Sequence, residues 1–177
     1  MYEFKFTKVR LAGVGVALGS ILLFDFDGNP VHVEDITNPG GSSPPSQEVG
    51  NLIAYQNFLR QGSETEDALQ GSMSDRVVHD EVHTLVVHMV EELGYVKWLD
   101  HNFEDRQETS VVRLQLATDV AVAGYAFITA EDVPRRDPIS WTLSAVIDGR
   151  PVTLDDVRNA FVPIERSELY PPRYFVS

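Results

Sequence analysis

The chain opens on an alternation, with Tyr2, Phe4 and Phe6 on one side and Glu3, Lys5 and Thr7 on the other. That period of two predicts a half-buried strand from Tyr2 to Leu11. The apolar run that follows, LAGVGVALGSILLF from Leu11 to Phe24, ends in Asp25. It falls short of the roughly 18–20 residues a membrane-crossing helix needs, so it predicts a buried strand pair and no membrane span. ALGSILLFDFDGNPVHV then reads as two strands around Asp27-Gly28-Asn29-Pro30, because Asp-Gly supplies the positive φ of a tight hairpin turn. Asp25, Asp27 and Asn29 also begin like a calcium loop. The twelfth position of that loop would be Ile36, which has no carboxylate to offer, so the turn is the better reading.

Residues 38 to 50, NPGGSSPPSQEVG, are a loop by composition, since Gly, Pro and Ser resist both helix and ladder. Leu52 to Arg60 and Asp75 to Leu93 then carry helical spacing, with Val78, Val82, Leu85, Val86, Met89, Val90 and Leu93 in one stripe. Ser74 or Asp75 serves as an N-cap and Gly94 as the stop. The strand pattern returns at Tyr95–Leu99, Ser110–Leu116, Val120–Thr129 and Ser140–Ile147, with a second Asp-Gly turn at Asp148-Gly149. A polar turn at Asp155 and Asp156 and short strands at Ala160–Ile164 and Tyr174–Val176 complete it. The expected fold is all-β: one domain, an antiparallel β-sandwich, with a helical insertion around residues 53 to 93.

At 177 residues and 43% apolar content, the chain buries one sizeable core. Its 27 acidic against 14 basic residues give a net charge of -13, which repels nucleic-acid backbones and anionic headgroups. The acidic runs at Glu64, Glu66, Asp67, at Glu91, Glu92 and at Asp100, Glu104, Asp105, Glu108 read as solvated faces. With no cysteine, disulfides and thiolate metal sites are excluded, and the compartment is left open. The order of basic and apolar residues at the start is not that of a secretory leader, so the expectation is a cytosolic or processed chain.

Five fragments in order, SILLFDFDGNPV (20–31), TNPGG (37–41), KWLDHNF (97–103), GYAFITAEDVPRRDPISWTL (124–143) and IERSELYPPRYFVS (164–177), resemble the galactose-binding-like jelly-roll domains of the discoidin, or coagulation factor 5/8 type C, group. The resemblance spans nearly the whole chain. It departs from the group in the insertion at 53–93, and in Arg150-Pro151-Val152 where many members carry a tryptophan after the second Asp-Gly turn. The resemblance implies ligand loops gathered at one end of the sandwich, and a calcium ion near the Lys-Trp-Leu-Asp segment with Asp100 and Asn102 as its ligands.

Catalytic chemistry finds little footing. HDEVH, His79 to His83, has the i, i+4 imidazole spacing of a helical zinc site, but Asp80 stands where the zinc-protease motif needs glutamate. No G-x-S-x-G elbow or phosphate-cradling glycine loop is present; Gly13, Gly15 and Gly19 miss the latter spacing by one residue. The chain therefore reads as a non-enzyme. What remains is binding by loop residues, drawn from His32, Asn38, His101, Asn102, Arg135, Arg136 and Tyr170, with Asp137 beside them. Two functions compete: a protein-interaction subunit of a larger assembly, using the inserted helix as its interface, and a glycan-recognising module. In VPRRDPISW, 133 to 141, Pro134 and Pro138 confine a corner. Asp137 is expected to accept from nearby amides or to pair with Arg135 or Arg136, and Trp98 and Trp141 to pack as core, the Trp141 indole N–H being satisfied by the corner.

Overall fold

The computed structural model describes residues 1–57 and 94–175. Most of the inserted segment, including HDEVH and the helix expected over 75–93, lies outside the described residues, as does the interface proposed for it. Ten strands are described: β1 (Tyr2–Val9), β2 (Val16–Leu18), β3 (Ser20–Phe24), β4 (Val33–Thr37), β5 (Trp98–Asp100), β6 (Ser110–Leu116), β7 (Gly124–Ile128), β8 (Pro138–Ile147), β9 (Arg150–Val157) and β10 (Arg173–Tyr174). They form antiparallel sheets of five strands (β4-β6-β1-β8-β9), three strands (β10-β7-β3) and two strands (β2-β5). The fold is all-β and sandwich-like.

The alternation at the start folds as its period dictates. Phe4, Phe6 and Val9 of β1 are buried while Lys5 and Lys8 stay exposed. On β6, Ser110, Val112, Leu114 and Leu116 point inward and Arg113 and Gln115 outward. The buried face of this large sheet meets the small sheet through rings. Phe4 lies 5.1 Å from Tyr125 and 5.2 Å from Phe127, and Phe127 lies 5.0 Å from Trp141. Each such ring contributes about 1.5–3 kcal/mol by leaving water, with edge-on contacts adding to it. β3 (SILLF) and β7 (GYAFI) are buried at every position. That explains why they read as unbroken apolar runs without alternation.

The two Asp-Gly turns have different outcomes. Asp148 and Gly149 take φ of 50° and 72° and close a tight hairpin in which Ile147 faces Arg150, the geometry that two-residue hairpins favour. The turn at Asp27-Gly28 also forms, with the Gly28 N–H donating to the Asp25 carbonyl at 3.1 Å. Its arms pair beside the turn, where Phe24 faces Pro30 and Val31 N–H donates to the Leu23 carbonyl at 2.8 Å, and only then part: β3 pairs with β7 in the small sheet, and β4 pairs with β6 in the large one. The expected hairpin is thus short, and beyond it the chain crosses between layers. Likewise β2 and β3 do not pair with each other; β2 takes β5 and β3 takes β7. Asp155 and Asp156, expected in a turn, sit inside β9 where Leu143 and Thr142 face them, and 160–164 is not a strand.

Candidate functional site

The strand directions bring five connections to one end of the large sheet: those leaving β1, β4 and β9 and those entering β6 and β8. Every loop residue singled out in the sequence as a ligand candidate at 101–102 and 135–137 falls here. Residues 10 to 16 link the two groups. Leu11 N–H donates to the Arg135 carbonyl at 3.1 Å, and Val16 faces Asp100 across the β2-β5 ladder. Gly15 is required there, because a Cβ would come within 2.5 Å of the Asp100 carbonyl oxygen.

On one side stands Asp100, fully buried. Its Oδ1 accepts from the backbone N–H groups of Ser42 and Asn102, both at 2.9 Å, and its Oδ2 accepts from Ser110 Oγ at 2.6 Å. The loop it holds is fastened again from outside. Asn102 Nδ2 donates to the Gly40 carbonyl at 3.1 Å, Arg106 Nη1 to the Pro39 carbonyl at 2.8 Å, and His101 N–H to the Ser42 carbonyl at 2.9 Å. Asn38 reaches across with Nδ2 to Ser110 Oγ and to the Val111 carbonyl. Calcium asks for about six to eight oxygens turned toward one point. Here the Asp100 oxygens and the Pro39, Gly40 and Ser42 carbonyls are each turned to a protein donor, so as they stand the residues do not fit that ion. Among the described residues, no group of three or more His, Cys, Asp or Glu side chains is placed to hold a metal.

On the other side is the corner Val133 to Asp137. Val133 takes φ of 42°, Pro134–Arg136 forms a single 3-10 turn, and Asp137 N–H closes it on the Pro134 carbonyl at 3.2 Å. The Asp137 side chain takes neither neighbouring arginine nor nearby amides as its partner. Its side chain, 1% exposed, receives a two-point fork from Arg166, with Nη1 on Oδ1 at 3.0 Å and Nη2 on Oδ2 at 2.9 Å, and Arg10 Nε at 3.2 Å. Burial pushes the Asp137 carboxyl above its ordinary value of 3.8 against the pull of both arginines. Arg10 also donates from Nη2 to the Val162 and Pro163 carbonyls, at 3.0 and 2.7 Å. Three distant parts of the chain are thereby joined at one carboxylate.

That frees Arg135 and Arg136 from bracing. Arg135 is exposed, and among the described residues the buried Arg136 Nε has no hydrogen-bond partner. The segments fastened to this corner carry large apolar side chains in water: Leu11 at 49%, Phe161 at 73% and Ile164 at 81% exposure. Sequence reasoning missed these three, and it missed Arg10 and Arg166 as the partners of Asp137. The only signal was the order R-L-A-G after the first alternation and the single P-I-E-R run near the end. Trp98 and Trp141 are both in the core. The Trp141 indole N–H is taken by Tyr125 Oη at 2.7 Å and not by the corner. Tyr170, another ligand candidate, is buried and donates to the Pro138 carbonyl at 3.2 Å.

Comparison with known families, with curated proteins and with solved structures returned no match for this chain.

Proposed function

We propose that the protein is a non-catalytic interaction module, a subunit that docks to another protein through the loop end of a galactose-binding-like jelly roll. The observation that carries this reading is that Leu11, Phe161 and Ile164 are exposed on two segments fastened to one braced corner, the first through the Arg135 carbonyl and the second through Arg10, where Arg135 is itself exposed. Isolated apolar side chains on a surface are ordinary. Several in one place, with arginine among them and a rigid platform beneath, have the make-up of an interface core. The Asp137 brace supports the same reading, because a pre-ordered surface loses less freedom on docking.

Glycan recognition is the competing function, and the Asp100 loop is where the family resemblance would locate it. The polar groups of that loop are turned inward to one another, which leaves little hydrogen-bonding capacity for a sugar. Two measurements separate the readings: binding of the purified protein to a glycan array, and the size of the particle that carries it in native extract. A complex larger than the monomer and a blank array are expected. Sugar binding by a monomer would sink the interaction reading.

A further inference from the structure

The two sides of the loop end differ in charge: the 101–108 side carries Glu104, Asp105 and Glu108, whereas the corner around Asp137 holds more basic than acidic side chains. Lys8, Arg10, Arg135, Arg136, Arg158 and Arg166, six of the 14 basic residues, are gathered there in a chain of net charge -13. Lys8 Nζ donates to Asn159 Oδ1 at 2.7 Å, beside Arg158, and Asn159 N–H donates to Ser140 Oγ at 3.1 Å, next to the corner. The acids among them are Asp137, Asp156 and Glu165. Asp137 is shared by two arginines, and Asp156 pairs with Arg158 at 2.8 Å. Glu131 and Asp132 border the patch, with Asp132 held by Lys97. Among the described residues no carboxylate pairs with Lys8, which is held by Asn159, or with Arg135 and Arg136, and the Arg135 carbonyl receives the Leu11 N–H while Arg10 beside it reaches the Val162 and Pro163 carbonyls.

We infer that this end receives an acidic polypeptide segment of a partner protein. Partner carboxylates meet Arg135 and Arg136, and partner apolar side chains cover Leu11, Phe161 and Ile164. The inference rests on the interaction reading above and gives the partner its chemistry. Guanidinium forks match carboxylates in two-point geometry, and such pairs gain strength as apolar contacts around them exclude water. Among the described residues the buried Arg136 Nε has no hydrogen-bond partner, and a carboxylate that reaches it supplies the missing acceptor. An anionic bilayer has the right charge for the patch but is too broad for it. It would bring the rest of an acidic chain within a screening length of about 8 Å of like charge, whereas a peptide touches the patch alone.

The test uses the full chain against an array of peptides that combine Asp or Glu with Leu, Ile or Phe at varied spacing. Each peptide has an Asn/Gln twin, and phosphatidylserine vesicles form a separate arm. Acidic peptides are expected to bind, their amide twins at least about tenfold more weakly, and vesicles not at all. Arg135→Glu and Phe161→Ser each weaken binding by about tenfold. Both sites are exposed, so the urea midpoint stays where it was, and that control separates lost binding from lost folding. Equal binding of acidic and amide peptides, preference for vesicles, or indifference to Arg135→Glu overturns the acidic partner. If those variants leave the native complex at its full size, the interaction reading survives and this inference falls. If native extract holds the chain only as a monomer, the reading itself falls.

Discussion

Asp137 and Asp155 are both aspartates gripped by an arginine fork, and burial makes them opposites. Asp137 is 1% exposed, between Arg166 and Arg10, and its carboxyl is pushed above the ordinary 3.8 by desolvation that the two cations do not fully offset. Asp155 is 15% exposed and its partner Arg173 is 42% exposed, with Nε on Oδ2 at 2.5 Å and Nη2 on Oδ1 at 3.0 Å. There too burial works to raise the carboxyl, yet the hydrogen bonds from Arg173 and Tyr125 outweigh it and hold Asp155 below 3.8. The jobs differ accordingly. Asp155 lies on β9 and Arg173 on β10, so their pair clamps the edge strand of one sheet to the edge strand of the other. Asp137 fixes loops from three parts of the chain, where a buried charge accepts only one arrangement of its partners.

Removing each carboxylate separates the two. Asp137→Ala removes the buried carboxylate that two partly exposed guanidinium groups share, with its three charge-assisted contacts, and is expected to cost about 3–5 kcal/mol in urea unfolding. Asp155→Ala releases a half-exposed arginine to water and is expected to cost about 1–2 kcal/mol, mostly through the lost acceptor for Tyr125. Equal costs would show that burial is not what distinguishes them.

Next in size is the relay behind Asp155. Trp141 Nε1 donates to Tyr125 Oη at 2.7 Å, and Tyr125 Oη donates to Asp155 Oδ2 at 2.8 Å, so one hydroxyl serves an indole in the core and a carboxylate at the rim. Burial raises the phenol well above its ordinary value, and the hydroxyl stays protonated to donate. Tyr125→Phe leaves a buried indole N–H without an acceptor and is expected to cost about 1–3 kcal/mol, measured by urea unfolding. Tyr125→Phe combined with Asp155→Asn is expected to cost less than the sum of the two, because they share one bond.

The pH dependence sharpens the contrast through its sign. Asp155 has its folded value below the unfolded one, so the folded state binds fewer protons there. Its contribution is fully present above about pH 4–5 and is lost as pH falls through the folded value. Asp137 has its folded value above the unfolded one, so between the two the folded state binds more protons. There its contribution declines as pH rises from the ordinary carboxylate range. Stability measured from about pH 3 to pH 7 is therefore expected to lose part of its acid-side fall in Asp155→Asn and to fall more steeply with acid in Asp137→Asn. Parallel profiles would contradict the opposite shifts.

Much of the fold was legible because local pattern decides it. SVVRLQL alternates and is a strand from Ser110 to Leu116, and Asp148-Gly149 takes the positive φ its residue types favour. Which strands pair was not legible. The Asp27-Gly28 turn has the chemistry of a hairpin, but β3 is apolar on both faces and β4 on one, so each belongs to a different sheet. Asp155 looked like a turn residue because a charge inside a strand needs a partner, and the partner, Arg173, comes from near the end of the chain. The site followed the same rule. VPRRDPISW could be read as a corner from its prolines, while the arginines that hold Asp137 come from positions 10 and 166 and leave no trace in the local sequence. Exposure of Phe161 and Ile164 was likewise hidden, because an apolar run looks the same whether it faces a core or a partner.

The smallest expected effect concerns the third carboxylate, Asp100, which has neutral donors where the other two have arginines. Ser42 N–H, Asn102 N–H and Ser110 Oγ fill its two oxygens. A cation would have to displace them to reach it, so millimolar calcium is expected to leave the thermal midpoint of the wild-type protein unmoved. An ion that binds only the folded state adds RT ln(1 + [L]/Kd), about 2.7 kcal/mol at a hundredfold excess over Kd, so even a modest site would register. A rise in the wild-type midpoint that disappears in Asp100→Asn would convert the hub into a cation site and return Asn102 and the Gly40 carbonyl to the role of ligands. A flat response leaves Asp100 as a fastener for the 38–42 loop, and the open chemistry of this end then belongs to Arg135 and its apolar neighbours.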